Sequence, residues 1–386
     1  MNQTNNQYIT VNKPIGPVCN INCRYCFYLK KQELYPGRKV SDFRMSDAVL
    51  EEYIRQYMDK PEPQVTFVWQ GGEPTMLGLD FFRKAVGLQN KYNTKGKNII
   101  NTLQTNGIKL NNEWALFFKE NHFLIGVSLD GPAHLHNKYR QNTFDAVMGG
   151  IQILKEYDVD YNILCTVNRI NADYPLELYE FFKQQSGTNF WQFIPIVEHS
   201  GSKVYDHSVL PEQYGKFLVE MFDYWVRHDI GKISIQIFDV VFNHFMGLPP
   251  TLCIFAETCG NAPALEHNGD FYSCDHYVET EYFLGNIMDQ PMQLMVDSDQ
   301  QRTFGINKKA TLPDYCHRCS VKSLCNGGCP KNRFTKTPDG EPGLNYLCAG
   351  YKRFFTYVTP YMEYLAQQYR IGGLFEMVMQ HFRNAN

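Results

Sequence analysis

Short β-rich segments at 8–13, 64–69, 98–104, 123–129, 160–167 and 190–194 alternate with helix-patterned stretches at 46–59, 79–93, 112–120, 143–157 and 175–185. This alternation constrains the fold more than any other feature. Neighbouring parallel strands need a crossover connection, and a helix is the usual one, so repeated strand–helix units build a parallel sheet. The strands are apolar almost throughout, as in a sheet covered on its outer face. Helix 46–59 carries apolar residues at helical spacing (Ala48, Val49, Tyr53, Ile54, Tyr57, Met58) behind Ser46 as N-cap. Six units fall short of a closed eight-stranded barrel, so the expected fold is α/β, a partial (β/α)6 TIM-type barrel. Its site should lie at the C-terminal ends of the strands.

After a further helix at 211–228 the texture changes. Residues 252–348 are loop-rich and hold eight cysteines, and Gly247-Leu248-Pro249-Pro250 breaks the pattern before them. The expected division is a partial barrel over 1–235, a cysteine-rich domain over 236–350 and a helical segment over 351–386, interrupted near Gly372 and Gly373. The chain has 386 residues, 44% of them hydrophobic and 20% charged, which is the composition of a soluble globular protein. A net charge of −3 without long runs of either sign predicts neither nucleic-acid nor membrane-surface binding. The polar, uncharged N-terminus (Met1–Gln7) lacks the basic and apolar regions of a secretory signal, and no apolar run is long enough for a membrane span. A cytoplasmic enzyme is the expectation. Its twelve cysteines then need an explanation other than disulfides, because that compartment is reducing.

Metal is that explanation. Cys19, Cys23 and Cys26 follow the spacing C-x3-C-x2-C. Three thiolates from one short loop suit a cubane iron–sulfur cluster whose fourth iron is left open to a small molecule. The competing reading is a structural zinc loop, which usually meets a second cysteine pair; the next cysteine here is Cys165. Cys165 sits in an apolar strand and reads as a buried small side chain. Downstream, Cys253, Cys259, Cys274, Cys316, Cys319, Cys325, Cys329 and Cys348 are enough for two fully ligated cubanes. Zinc-ribbon spacing competes there too. Spacing alone does not partition these eight.

Gly71-Gly72-Glu73-Pro74 follows the second strand, where two glycines let backbone approach a ligand closely. Ser128 ends the fourth strand, and Asp130, Gly131 and Gly107 read as ordinary turn residues. Asp275 follows Cys274 directly. A carboxylate beside a cluster ligand could serve as a general base.

The cysteine loop with the aromatic pair Phe27 and Tyr28, followed by the G-G-E-P segment, resembles the radical S-adenosylmethionine (SAM) enzymes. The order C-x9-G-x4-C from Cys259, then C-x2-C-x5-C-x3-C from Cys316, then Cys348, resembles their SPASM extension. Gln70 before the glycines, the 269–277 segment around Cys274 and the run from Cys325 to Arg333 resemble the anaerobic sulfatase-maturating enzymes over about 8–355. The resemblance implies three [4Fe-4S] clusters. One, on Cys19, Cys23 and Cys26, binds SAM. The two auxiliary clusters lie on Cys253, Cys259, Cys274 and Cys329, and on Cys316, Cys319, Cys325 and Cys348. It implies SAM contacts at Tyr25, Gly72, Glu73, Ser128, Arg140 and Val197, substrate contacts at Tyr28 and Gln70, and Asp275 as the base. It also implies the reaction, oxidation of a sulfatase Cys or Ser to Cα-formylglycine through a radical generated from SAM. The implied partners are an unfolded or nascent sulfatase polypeptide and an external electron carrier of ferredoxin or flavodoxin type. The loop over 196–210 is shorter than in some relatives, which puts substrate range in question. Two alternatives stand beside this reading: a SPASM maturase that crosslinks another peptide, and a non-enzymatic zinc scaffold.

Overall fold

The computed structural model describes residues 7–384, so residues 1–6 of the polar N-terminus lie outside it. Two compact units emerge. Over the described residues the first comprises 7–128, 137–161 and 260–306, the second 129–136, 162–259 and 307–384.

In the first unit, strands β1 (Val11–Lys13), β2 (Gln64–Trp69), β3 (Asn98–Thr105) and β4 (Phe123–Ser128) pair in parallel and in chain order. Helices α1 (Asp47–Met58), α2 (Leu79–Tyr92) and α3 (Asn112–Glu120) separate them. Helix α1 starts where Ser46 accepts a hydrogen bond from Val49 N, and buries Val49, Leu50, Tyr53, Ile54, Tyr57 and Met58. Its tyrosines pack on Phe67 and Trp69 of β2, and Trp69 in turn meets Phe81 and Phe82 of α2. Fully burying each such ring contributes on the order of 1.5–3 kcal/mol. The strands are less uniformly buried than their apolar sequences suggest. In β2 only Val65, Phe67 and Trp69 are fully buried, and the alternate residues keep partial exposure.

The edge of β1 is closed by residues from the cysteine-rich stretch. Ala264–Glu266 runs parallel to β1, with Lys13 opposite Glu266, and continues antiparallel through Asp270–Tyr272 to Phe283–Asn286. The chain leading into these strands also satisfies donors along β1 and just before it, as in Ile9 N to Asn261 O at 2.9 Å and Val11 N to Pro263 O at 2.9 Å. Gly269 has φ +90° at the tight turn, and a Cβ there would stand 2.8 Å from Asn286 Oδ1. The first unit also holds α5 (Phe144–Glu156), whereas α4 (Ala133–His136) belongs to the second.

In the second unit β5 (Tyr161–Val167) and β6 (Phe190–Pro195) are parallel, joined by α6 (Pro175–Gln185), and β6 pairs with Ser234–Ile235. Helix α7 (Pro211–His228) packs on the long helix Cys348–Arg370. Gly215 of one and Gly350 of the other come so close that a Cβ on Gly215 would lie 2.7 Å from Gly350 Cα. Just before the break at Gly247–Pro250 the chain forms α8 (Gln236–Phe245), burying Ile237, Phe238, Val240 and Val241. Cys165 is fully buried in β5, and Asp130 accepts from Thr166 N at 3.0 Å and Thr166 Oγ1 at 2.7 Å, a purely structural tie. Among the described residues no helix is long and apolar enough to cross a membrane.

Candidate active site

In the first unit, the end of β2 is pressed against the cysteine loop. Gly72 N donates to Gly16 O at 2.8 Å and Glu73 N to Val18 O at 2.9 Å. A Cβ on Gly72 would stand 1.8 Å from Val18 O, so only glycine fits there. The Glu73 carboxylate is fully buried. Its Oε1 accepts from Thr75 N, Thr75 Oγ1 (2.6 Å) and Thr105 Oγ1 (2.7 Å), and its Oε2 from Asn106 N (2.7 Å). Burial raises its pKa, and these donors pull it back toward the ionised form. Glu73 thus clamps the ends of β2 and β3 together. Asn106 extends that clamp to the cysteines. Its amide donates to Asn20 Oδ1 at 2.7 Å and approaches Cys19 Sγ at 3.8 Å.

Cys19, Cys23 and Cys26 are each partly buried on this loop. Burial raises the Cys19 thiol, with Glu73 and Cys26 close enough to add to the effect. Arg140 brings a cation to the loop. Its Nη1 lies 4.0 Å from Cys23 Sγ and its guanidinium 5.5 Å from the centre of the Tyr25 ring. Ser128 is buried at the end of β4.

A second group, also in the first unit, forms around a residue the sequence reading did not single out. Lys13, at the end of β1, is 2% exposed. Its ammonium donates to Gln70 Oε1 at 2.9 Å, forms an ion pair with Asp275 Oδ1 and lies 4.6 Å above the Tyr28 ring. Tyr28 OH donates to the buried Glu266 Oε1 at 2.6 Å. Burial, and then the Glu266 carboxylate beside it, push the Tyr28 hydroxyl well above its usual range and keep it a donor. The hairpin after Ala264–Glu266 carries Cys274 and Asp275 to this place, and β2 delivers Gln70 from the other side of β1. A lysine ending an apolar strand is the one signal that could have drawn attention to Lys13, since a buried ammonium needs a carboxylate partner.

In the second unit, Cys316, Cys319, Cys325 and Cys348 line one hollow together with Leu344, Asn345 and Lys352. Cys253, Cys259 and Cys329 form a separate group whose charges act on one another. Cys274 belongs to the first unit. Val197 is buried in the second, in a loop pinned by Glu198, which accepts from Lys331 Nζ at 2.7 Å. Among the described residues no three His, Cys, Asp or Glu side chains close on a single-ion site. The donor set nonetheless fits clusters. Burial pushes Cys259 and Cys348 up to about 11 and Cys325 up to about 12. Thiols held this way become thiolates only when a metal replaces the proton.

Known proteins accord with this arrangement. The radical SAM superfamily profile matches residues 14–182, and an iron–sulfur cluster-binding SPASM profile matches 257–320. The serine-type anaerobic sulfatase-maturating enzyme of Bacteroides thetaiotaomicron is 46% identical over 94% of this chain and 91% of its own length. The cysteine-type enzyme of Clostridium perfringens is 36% identical over 90% and 95%. The solved structure of native anSMEcpe with bound AdoMet superposes with a TM-score of 0.82 at 34% identity, covering 93% of this chain and 99% of that one. The same protein with AdoMet and the Cp18Cys peptide gives 0.83 at 35%, covering 93% and 98%. The fold and site define a radical SAM enzyme with a SPASM iron–sulfur domain, its strands in an open rather than a closed barrel. Within that class, the chain belongs to the anaerobic sulfatase-maturating enzymes. This membership supports sulfatase maturation over the crosslinking of another peptide.

Proposed function

We propose that this enzyme oxidises a Cys or Ser side chain of a sulfatase polypeptide to Cα-formylglycine, and that Lys13, Gln70, Tyr28 and Asp275 form the substrate end of its site. The ion pair between buried Lys13 and Asp275, one residue after a cluster cysteine, carries this reading. When bound, SAM and three [4Fe-4S] clusters supply hydrogen-atom removal from the substrate Cβ and an outlet for the remaining electron. Cys19, Cys23 and Cys26 hold the SAM-binding cluster, with Tyr25, Gly72, Ser128, Arg140 and Val197 toward SAM. Glu73 acts there through the backbone it fixes, because its carboxylate already accepts four hydrogen bonds. One auxiliary cluster takes Cys253, Cys259, Cys274 and Cys329, the other Cys316, Cys319, Cys325 and Cys348.

Asp275 accepts the proton of the substrate thiol or hydroxyl. Lys13 holds the Asp275 and Gln70 side chains in one orientation, and Tyr28 with its ring covers the ammonium. Loss of a hydrogen atom, a proton and an electron converts Cys Cβ–S–H to a thioaldehyde, which water hydrolyses to the aldehyde with release of hydrogen sulfide; from Ser the aldehyde forms directly. The electron's external acceptor is a carrier of ferredoxin or flavodoxin type. On this reading function divides along the chain into 1–235, 236–350 and 351–386, and a reducing cytoplasm is the compartment that suits oxygen-sensitive clusters.

The deciding experiment is anaerobic incubation with SAM, a reductant and paired peptides bearing Cys-x-Pro-x-Arg or Ser-x-Pro-x-Arg, read by mass. Formylglycine in either peptide is expected. An intact peptide, or a thioether or carbon–carbon link instead, overturns the proposal.

A further inference from the structure

Two cations in the second unit have no part in binding substrate or SAM, yet both are buried or half-buried among the C-terminal cysteines. Lys308 is 1% exposed. Its ammonium donates to Cys253 O at 2.6 Å, Ile254 O at 3.0 Å and Ala256 O, all on the segment that carries Cys253. Among the described residues no carboxylate pairs with it; the charged groups around it are Cys259, Cys253, Arg333 and Cys329. Arg333 donates from Nε to Gly327 O at 3.0 Å, from Nη1 to Lys308 O at 2.6 Å, and from Nη2 to Asn326 O at 2.9 Å and Gly328 O at 3.3 Å. It thereby holds the Cys325–Cys329 turn, in which Asn326, Gly327 and Gly328 all have positive φ. Cys325 faces one set of thiols and Cys329 the other. The Arg333 charge accordingly acts on Cys316 and Cys325 of one set and on Cys329 and Cys259 of the other.

Carbonyl groups can hold an ammonium or guanidinium in place, but they do not neutralise it. A fixed positive charge near an iron–sulfur cluster favours the form with one more electron, and the effect is large where water is scarce. We infer that Lys308 and Arg333 are electrostatic positioning residues of the electron outlet. Lys308 raises the reduction potential of the cluster on the Cys253, Cys259 and Cys329 set alone, and Arg333, placed between the sets, raises both. This rests on the assignment of the two cysteine sets to auxiliary clusters.

The test uses the full chain, reconstituted anaerobically, in a Cys19/Cys23/Cys26→Ala background so that only the auxiliary clusters remain. Iron per chain is counted, and the midpoint potentials are followed by EPR-monitored redox titration. Lys308→Met is expected to move one potential to more negative values and leave the other unchanged; Arg333→Gln is expected to move both. Lys308→Arg and Arg333→Lys are expected to keep the wild-type values, because they keep the charge. If the neutral variants shed iron, the charge-retaining pair decides: bound iron at unchanged potential upholds the inference, and loss of iron there too marks a purely steric clamp and overturns it. Iron retained at unchanged potentials in Lys308→Met and Arg333→Gln also overturns it. A background protein without iron would instead remove the cluster assignment on which it stands.

Discussion

At the scale of single residues, the reaction depends on a proton acceptor and on what holds it. Asp275→Asn keeps the shape of the carboxylate but not its basicity. Formylglycine yield should fall at least about 100-fold, the lower range for a lost general base, while iron content and SAM cleavage persist. Undiminished product by mass spectrometry would remove Asp275 from that role. Lys13→Met removes the buried ammonium from Asp275, and breaking a buried pair costs up to roughly 3–5 kcal/mol, less here because Asp275 keeps some exposure. The expected result is a lower unfolding midpoint together with a lower kcat at nearly unchanged SAM affinity. Lys13→Arg should recover stability more than turnover, because the guanidinium cannot stand where the ammonium meets both Gln70 and Asp275. Away from the site, Lys60 lies over the rings of Tyr8 and Tyr57 and donates to Tyr8 O at 2.6 Å. Burial pushes its pKa down to about 8. An unfolded lysine titrates near 10.4, so between about pH 8 and 10.4 the unfolded chain holds a proton that the folded chain has shed. Thermal stability should therefore gain a rising component across that window, and Lys60→Met should flatten it.

At the scale of elements, the end of β2 is the part whose geometry tolerates least. Gly72→Ala sets a methyl group 1.8 Å from Val18 O, which the backbone of the cysteine loop must yield to. We expect loss of the iron bound by that loop and of SAM cleavage, with the C-terminal iron retained; an alanine variant that still makes 5′-deoxyadenosine would show that the loop can move at little cost. Much at this scale was legible in advance. The span of β2 and the N-cap of α1 at Ser46 follow from alternation and capping chemistry. Helix α8 and the strands Ala264–Glu266 and Asp270–Tyr272 were not legible. The first follows closely on a β-like segment and runs into Gly247 and Pro249, which read as a break. Three-residue strands are too short to show a period, and they form because β1 offers an open edge.

At the scale of the whole molecule, the proposal assigns the N-terminal cysteine loop and the eight later cysteines to different metal sites, and the two kinds of site should be separable. Replacing Cys19, Cys23 and Cys26 by Ala should abolish 5′-deoxyadenosine formation yet leave iron on the eight C-terminal cysteines; a triple variant that still cleaves SAM would end the assignment of the first cluster. Separability of this kind was visible in the linear order, because each spacing is a local property of the chain. Strand–helix alternation likewise determined the α/β class, and C-x3-C-x2-C followed by G-G-E-P determined the chemistry. Both are set by residues a few positions apart, whose geometry the backbone itself fixes. The pairing of Lys13 with Asp275, 262 positions further on (275 − 13), was decided only by the tertiary structure. So were the engagement of Glu73 by Thr75, Thr105 and Asn106, and the place of Arg333 between two sets of thiols. A buried charge takes its partner from whatever element the sheet brings beside it, and no local pattern records which element that will be.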